Sequence, residues 1–553
     1  MSKILTPFGA VPNERQLFHY AIGKKAFFHV GMNTFTGNEW GHGDEDPAIF
    51  APTDADVDSW VRTAKEAGFG LAILVCKHHD GFCLWPTATT EHSIRYSPYK
   101  NGEGDIVREF VDACHRYGVY VGLYVSLWDR HMPAYGTPAY NEYYVAQITE
   151  LLTGYGPVHE IWWDGAGSTG GHLDYARFAE TARRLQPDIG IFGALGAADV
   201  VDFRWVGNEA GKVAPTHYAS IDREAIRVED NRVLNRGTLG AAHYVPAEVD
   251  TSIRPGWFYH ASQDTQVKSP ETLNDLWFSS VGRNALMLLN FPVDTRGRIQ
   301  DTDRQNAIAS HRQIEAMLAT DYMDGATLTA DGAFDEAYTI EHARATSDGF
   351  FAAAGHEAVI DVTLPHPTEL NVLLLSEEVT LGERITSLTL ESVAQDGTAT
   401  VLVEGTSVGY KRAYLFERTT VSHLRLTLRG AAEPTLRSIG LHLFEGSTVD
   451  PRRERGENIM ARPEARVEMD EDRRAAVLAF GGIYPFRKVR FKVENMGVIT
   501  LSVFDGFSFR EIYRGYALAD DVEVFLDEEV EGSYQIRITT ERPFEDDPAF
   551  YIG

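Results

Sequence analysis

The chain of 553 residues carries 51 Lys+Arg against 80 Asp+Glu, a formal net charge of −29, with 44% hydrophobic and 24% charged residues. That balance argues against a nucleic-acid or anionic-membrane partner and favours neutral substrates. The length predicts roughly three to four domains, and no window approaches ~18 consecutive apolar residues, so no transmembrane helix is expected. The three cysteines, Cys76, Cys83 and Cys114, form no Cys-x-x-Cys pair and are read as reduced and structural. The first residues lack a signal peptide's long apolar run, so a cytoplasmic protein is expected.

From about residue 20 to 320, short apolar runs alternate with amphipathic helical stretches. Ala26–Gly31 reads as a first strand. A helix from Asp54 carries Val57, Trp60, Val61, Ala64 and Ala67 on one face and stops at Gly68. Leu71–Val75 is a second strand, apolar throughout as buried parallel strands are. The spacing then predicts a helix over Ile106–Tyr117 closed by Gly118, a strand over Val119–Val125 and a helix over Tyr140–Leu152. A fourth strand ends in Trp162-Trp163-Asp164-Gly165. A helix near Tyr175–Leu185 is followed by strands at Ile189–Phe192, Phe203–Val206, Ala242–Val245 and Ala285–Leu289. A last helix runs through Arg304–Leu318.

Repeated strand–helix units over this length predict an α/β fold, a (β/α)8-like barrel or a variant short of some helices. A doubly wound sheet is the alternative, weakened because no G-x-G-x-x-G follows the first strand. Beyond about residue 325 the period changes to two: Leu424, Leu426 and Leu428, then Val489, Phe491 and Val493, then Ile536 and Ile538 alternate with polar residues. Such strands predict β-sandwiches. The charged stretch Glu445–Asn458 reads as a linker. The chain is therefore expected to divide into a barrel over 1–325, a β-sandwich over 326–450 and a second β-sandwich over 451–553.

In a parallel α/β barrel, residues just past the strand ends face the active site. In order these are His29; Lys77-His78-His79-Asp80-Gly81-Phe82; Tyr124, Ser126 and Trp128; Asp164; Arg204 with Trp205-Val206-Gly207-Asn208-Glu209-Ala210-Gly211; and Arg254-Pro255-Gly256-Trp257-Phe258-Tyr259-His260. Adjacent His78 and His79 would point to opposite faces of a strand, and neither an H-E-x-x-H helix nor a Cys set accompanies them, so no metal is expected. Neutral imidazoles, each with one donor and one acceptor, suit a polyhydroxylated ligand. Asp164 and Glu209 each sit beside glycine at a strand end. That pattern suits glycoside hydrolysis by paired carboxyl groups, one ionised to attack and one protonated for the leaving oxygen. Asp80, Asp129, Glu248 and Asp250 compete for the second role, the last two most strongly. Alternation places Trp162 on the face of Asp164 and Trp163 opposite it, in the core.

Three separated motifs, Lys77-His78-His79-Asp80-Gly81-Phe82, Trp162-Trp163-Asp164-Gly165 and Ser252-Ile253-Arg254-Pro255-Gly256-Trp257-Phe258-Tyr259-His260, together resemble the α-L-fucosidases of glycoside hydrolase family 29 over about the first 320 residues. Gly207-Asn208-Glu209-Ala210-Gly211 is similar to the acid/base segment of the subgroup acting on α-1,3- and α-1,4-linked fucose. The resemblance implies a retaining exo-α-L-fucosidase acting on fucosylated branched oligosaccharides without a cofactor. Asp164 would be the nucleophile and Glu209 the acid, then the base. It further implies that His29, Glu39, Trp40, His78, His79, Tyr124, Trp128 and Trp257 enclose the sugar, with Trp257 and Trp128 against its C5-methyl. Arg204 is expected at the site, keeping a neighbouring acid charged, or else in a salt bridge. Two other readings stay open: a glycan-binding protein whose barrel no longer works, and a glycosidase for a galacto-configured sugar lacking the methyl. The sequence sets no oligomeric state.

Overall fold

The computed structural model describes residues 4–167, 172–448, 457–458, 465–492, 497–504, 506, 508–517, 521–544 and 549–552. Eight parallel strands form the first unit: β1 (Lys24–His29), β2 (Leu71–Lys77), β3 (Tyr120–Val125), β4 (Glu160–Trp162), β5 (Gly190–Gly193), β6 (Phe203–Arg204), β7 (Glu248–Ser252) and β8 (Leu286–Pro292). Strands β1 to β6 lie in sequence order, β8 lies on the other side of β1, and β7 lies beyond β8. A parallel bridge between Arg204 and Ala247 narrows the gap from β6 to β7, so the barrel is nearly closed.

The helices form for local reasons and bury one face each. Val57–Glu66 starts behind Asp56, whose carboxylate accepts from the Ser59 N–H, and it buries Val57, Trp60, Val61 and Ala64. Ile106–Tyr117 is capped by Asp105 and ends at Gly118, whose left-handed backbone closes the last turn. Between β5 and β6 the helix is replaced by a short turn, Leu195–Ala197, so the barrel is of the variant kind.

One expected strand is displaced. His243–Tyr244 pairs antiparallel with Ser220–Ile221 outside the barrel, and the seventh barrel strand is Glu248–Ser252. Its polar sequence hides it from a search for apolar runs. Its inward acids are tolerated because the barrel interior supplies partners. Lys25 lies fully buried between Glu248, to which it donates, and Glu160, 2.7 Å away but off hydrogen-bond alignment. Burial and the adjacent Glu248 push the Glu160 carboxyl well above the usual carboxylate range. The Trp162 indole N–H donates to the other Glu248 oxygen at 3.0 Å, which ties this polar core to the floor of the cavity above it.

Removing one member of a buried charged set leaves an uncompensated ion in a dry interior. Lys25→Met is therefore expected to lower unfolding free energy by about 3 kcal/mol, measured by denaturant titration. Lys25→Met with Glu248→Leu should recover part of that loss. A single variant as stable as the parent would contradict the assignment.

The chain after the barrel is antiparallel. One six-stranded sheet orders Thr327–Ala330, Glu357–Ser376, Arg412–Gly430, Ile385–Val393 and Ala399–Gly405, with Ser438–His442 also paired to Glu357–Ser376. Register breaks between Thr363 and Thr368 and between Leu370 and Val372 bend its longest strand over an apolar core of its own. A seven-stranded sheet built on Ala475–Lys492 and Asp521–Thr540 wraps a third core. The expected boundary near 450 and most of the charged stretch Glu445–Asn458 lie outside the described residues. The three cysteines are free and buried, and no helix among the described residues is long and apolar enough to cross a membrane.

Candidate active site

A cavity of about 300 Å³ opens at the C-terminal ends of the barrel strands. Phe27, His29, Glu39, Trp40, His78, His79, Tyr124, Trp162, Asp164, Glu209, Asp250 and Trp257 line it, with Trp205 and Glu229 on its outer wall. Nine of the eleven residues expected from the sequence therefore meet in one place.

Asp164 lies two residues past the end of β4, so a short buried strand positions its Cα while its side chain stays part-exposed to the cavity. The Tyr124 hydroxyl donates to its Oδ2 at 3.0 Å, and the Ala166 N–H donates to Oδ1 at 2.8 Å. His79 Nε2 lies 3.6 Å from Oδ2. The tautomer of His79 follows from its other nitrogen. The Ser126 hydroxyl donates to the Trp128 carbonyl at 2.6 Å, so its oxygen accepts from His79 Nδ1–H at 2.7 Å. Burial holds the His79 pKa down, against the pull of Asp164. Neutral His79 thus turns an Nε2 lone pair toward the carboxylate, with room for a ligand hydroxyl to bond either group.

His29 is fixed in the same way. Asn290 donates through Nδ2 to Ser252 Oγ at 2.9 Å and to the Trp257 carbonyl at 2.8 Å, which leaves its Oδ1 to accept from His29 Nδ1–H at 2.8 Å. Burial pushes the His29 pKa down to about 3, so Nε2 is a permanent acceptor at any ordinary pH. His78 packs against His79 with ring centroids 4.1 Å apart. Burial, then its two histidine neighbours, hold it neutral as well.

Glu209 stands on the segment after β6. Its Oε2 accepts from Tyr484 Oη at 2.7 Å and from Trp257 Nε1 at 3.4 Å. Asp250, the stronger of the competing acids to reach the cavity, is buried on β7. Burial, then the nearby Glu209 and Asp164, push its carboxyl well above the usual carboxylate range.

The rim is shaped by backbone that only certain residues adopt. Trp40 leans edge-on against Trp128 with centroids 5.7 Å apart, and Glu39 accepts from the Trp257 N–H at 2.8 Å. The loop carrying both docks through Gly43, at φ +87°, where a Cβ would fall 2.4 Å from the Arg130 carbonyl carbon. Leu195 and Glu229 line the far wall with φ of 45° and 50°. Non-glycine residues in that region cost about 1–2 kcal/mol each and cluster where a site requires them.

Two of the expected residues are not among those lining the cavity. Arg204 is fully buried and turns away from the cavity. Its guanidinium donates to the carbonyls of Leu234, Ala219, Val245 and Tyr218 and bonds the His217 ring. It forms no salt bridge, because the chain between β6 and β7 surrounds its guanidinium with carbonyl oxygens. Trp128 stands behind the wall, its ring against His79 at 5.0 Å and under the Arg130 guanidinium. Its ring is part-buried between His79 and Trp40. Of the other competing acids, Glu248 is held inside the barrel by Lys25 and Trp162. Asp129 accepts from Lys77 at 3.0 Å, and Asp80 caps the Phe82 N–H at 2.7 Å.

A (β/α)8-like barrel with two carboxyl groups and neutral imidazoles in a strand-end pocket defines a glycoside hydrolase. A model of the α-L-fucosidase family matches residues 18–311, more than half of the chain. The chain is similar to α-L-fucosidase 1 of Arabidopsis thaliana, 36% identical over 468 residues that cover 80% of this chain and 90% of that one. The crystal structure of a glycoside hydrolase 29 family member from an unknown rumen bacterium is 30% identical, covers 99% of this chain and 100% of its own, and superposes with a TM-score of 0.73. A Ruminococcus gnavus GH29 fucosidase solved in complex with fucose is 28% identical, covers 80% of this chain and 97% of its own, and gives a TM-score of 0.74. The chain belongs to the α-L-fucosidase family, glycoside hydrolase family 29.

Proposed function

We propose that the protein is a retaining exo-acting α-L-fucosidase that removes α-1,3- and α-1,4-linked L-fucose from branched oligosaccharides. The observation that carries the reading is the convergence of Asp164, Glu209 and three neutral imidazoles on one pocket of about 300 Å³, at the small end of ligand cavities. A pocket, rather than a groove, admits a chain end. Asp164 attacks the anomeric carbon as the Glu209 carboxyl proton passes to the glycosidic oxygen, and the aglycone leaves as an alcohol. Water then attacks the fucosyl–Asp164 ester from the face the aglycone left. Glu209 takes the water's proton, and Asp164 is released. Two inversions give net retention.

The lone pairs of His29 and His79 accept from sugar hydroxyls. A hydroxyl next to the anomeric carbon, placed between His79 and Asp164, strengthens its bond as the ring becomes cationic. Phe27 and Trp257, with centroids 6.4 Å apart, supply the apolar wall for the C5-methyl. The linkage preference is supported by the likeness of Gly207–Gly211 to the acid/base segment of that subgroup.

The test is a substrate panel of Lewis-type trisaccharides, α-1,2-fucosylated lactose and an aryl fucoside, with the first-formed anomer followed by proton NMR. Release of α-fucose from the trisaccharides, at least about tenfold faster than from the α-1,2 substrate, is expected (about 1.4 kcal/mol). Cleavage restricted to the α-1,2 substrate would reject the subgroup, and initial release of β-fucose would reject retention.

A further inference from the structure

We infer that the last sheet of the chain completes the active site, with Tyr484 as a positioning residue for Glu209. The inference rests on Glu209 acting as the acid/base. Tyr484 belongs to the core of the seven-stranded sheet, 2% exposed, with its ring 6.3 Å from Phe480. Its hydroxyl nevertheless reaches out of that core to Glu209 Oε2 at 2.7 Å, a bond spanning 275 positions of the chain. The indole N–H of Trp257 approaches the same oxygen at 3.4 Å. Two donors on one oxygen restrict rotation of the carboxyl group, so its aim toward the leaving group depends on Tyr484.

The aim of Tyr484 is built into its strand. Along Ala475–Lys492 the pairing with Asp521–Thr540 loses register on both sides of this residue, between Ala479 and Tyr484 and again between Tyr484 and Phe486. Such a bulge bends the strand and redirects the side chain at its apex. The local sequence Gly481-Gly482-Ile483-Tyr484-Pro485 supplies the residue types that strands accept chiefly at bulges and edges, a flexible glycine pair and a proline without an N–H. The barrel meets the sheet at the same spot. Ala210, next to Glu209, packs on the sheet's apolar core, and the helix Asn231–Arg236 lies against Asp521–Thr540. The acid/base segment is thus clamped between the barrel and the last sheet.

A carboxyl group freed to rotate delivers its proton less often, and the loss scales with how much the leaving group needs that proton. Tyr484→Phe removes the hydroxyl and keeps the ring. In the full chain it is expected to lower the rate on a fucosylated oligosaccharide about tenfold, mainly in kcat, while a fucoside with an activated nitrophenyl leaving group changes less than about twofold. The thermal midpoint and near-ultraviolet circular dichroism, recorded on the same sample, are expected to match the parent. Equal losses on both substrates, or no loss on either, overturn the role. Glu209→Ala run alongside separates the two possible failures. If it shows no dependence on leaving group, the acid/base assignment itself falls. If it shows that dependence and Tyr484→Phe does not, only the positioning role falls.

Discussion

Asp164→Gly is expected to lower kcat by on the order of 10⁴–10⁶ while leaving the fold in place, because it removes the atom that bonds to the sugar. The carboxylate is held by the Tyr124 hydroxyl at 3.0 Å and the Ala166 N–H at 2.8 Å. Its side chain is part-exposed to the cavity, so truncation opens space without leaving a buried charge. Azide is small enough to enter that space and attack the anomeric carbon from the same side. The carbon–oxygen bond to the leaving group breaks, Glu209 supplies the proton, and the product is β-fucosyl azide, with configuration inverted. Mass spectrometry and NMR of the product make the measurement. Undiminished activity, or azide product of α configuration, would remove Asp164 from the nucleophile's place.

Much of this was legible in the sequence for a definite reason. Helices such as Ile106–Tyr117 bury one face of a 3.6-residue period, and strands such as Leu71–Lys77 are buried throughout, so both write their burial into hydrophobicity. The strand ends then followed, and with them His29, His78, His79, Tyr124 and Asp164. Trp162 and Trp163 separate as alternation requires, one lining the cavity and the other fully buried against Phe178. The failures have equally definite causes. Glu248–Ser252 is polar because Lys25 reaches its first residue across the barrel, a pairing between residues more than two hundred positions apart. Arg204 stands at a strand end like its neighbours, yet its charge is absorbed by carbonyls of the following loop. Leu195 and Glu229 sit on loops, where no period marks which side chain turns inward. Asn290 did leave a signal, one amide within Leu286-Met287-Leu288-Leu289-Asn290-Phe291, since a buried amide needs partners. Tyr484 left a weaker one in the Gly-Gly-Ile-Tyr-Pro run, and nothing local could name its partner.

Glu209→Ala should separate the two halves of the reaction. Loss of the acid is expected to slow cleavage of an oligosaccharide by up to about 10⁴-fold, or about 5.5 kcal/mol of barrier. A fucoside with an activated nitrophenol leaving group forms the fucosyl–Asp164 ester almost unaided, and its release then becomes limiting because no base activates water. Azide needs no base. It attacks the accumulated ester and restores turnover, giving α-fucosyl azide, the anomer opposite to that expected from Asp164→Gly. The same comparison decides against the remaining rival. Asp250 is buried, and its carboxyl is pushed well above the usual range by that burial and by the neighbouring Glu209 and Asp164. Asp250→Asn preserves its shape and adds no charge to that buried place. That variant should lose far less, about tenfold or under, with no dependence on the leaving group. If instead the leaving-group dependence and the azide rescue follow Asp250 and leave Glu209→Ala unmoved, the acid belongs to β7, and the segment beneath Tyr484 serves only to shape the pocket.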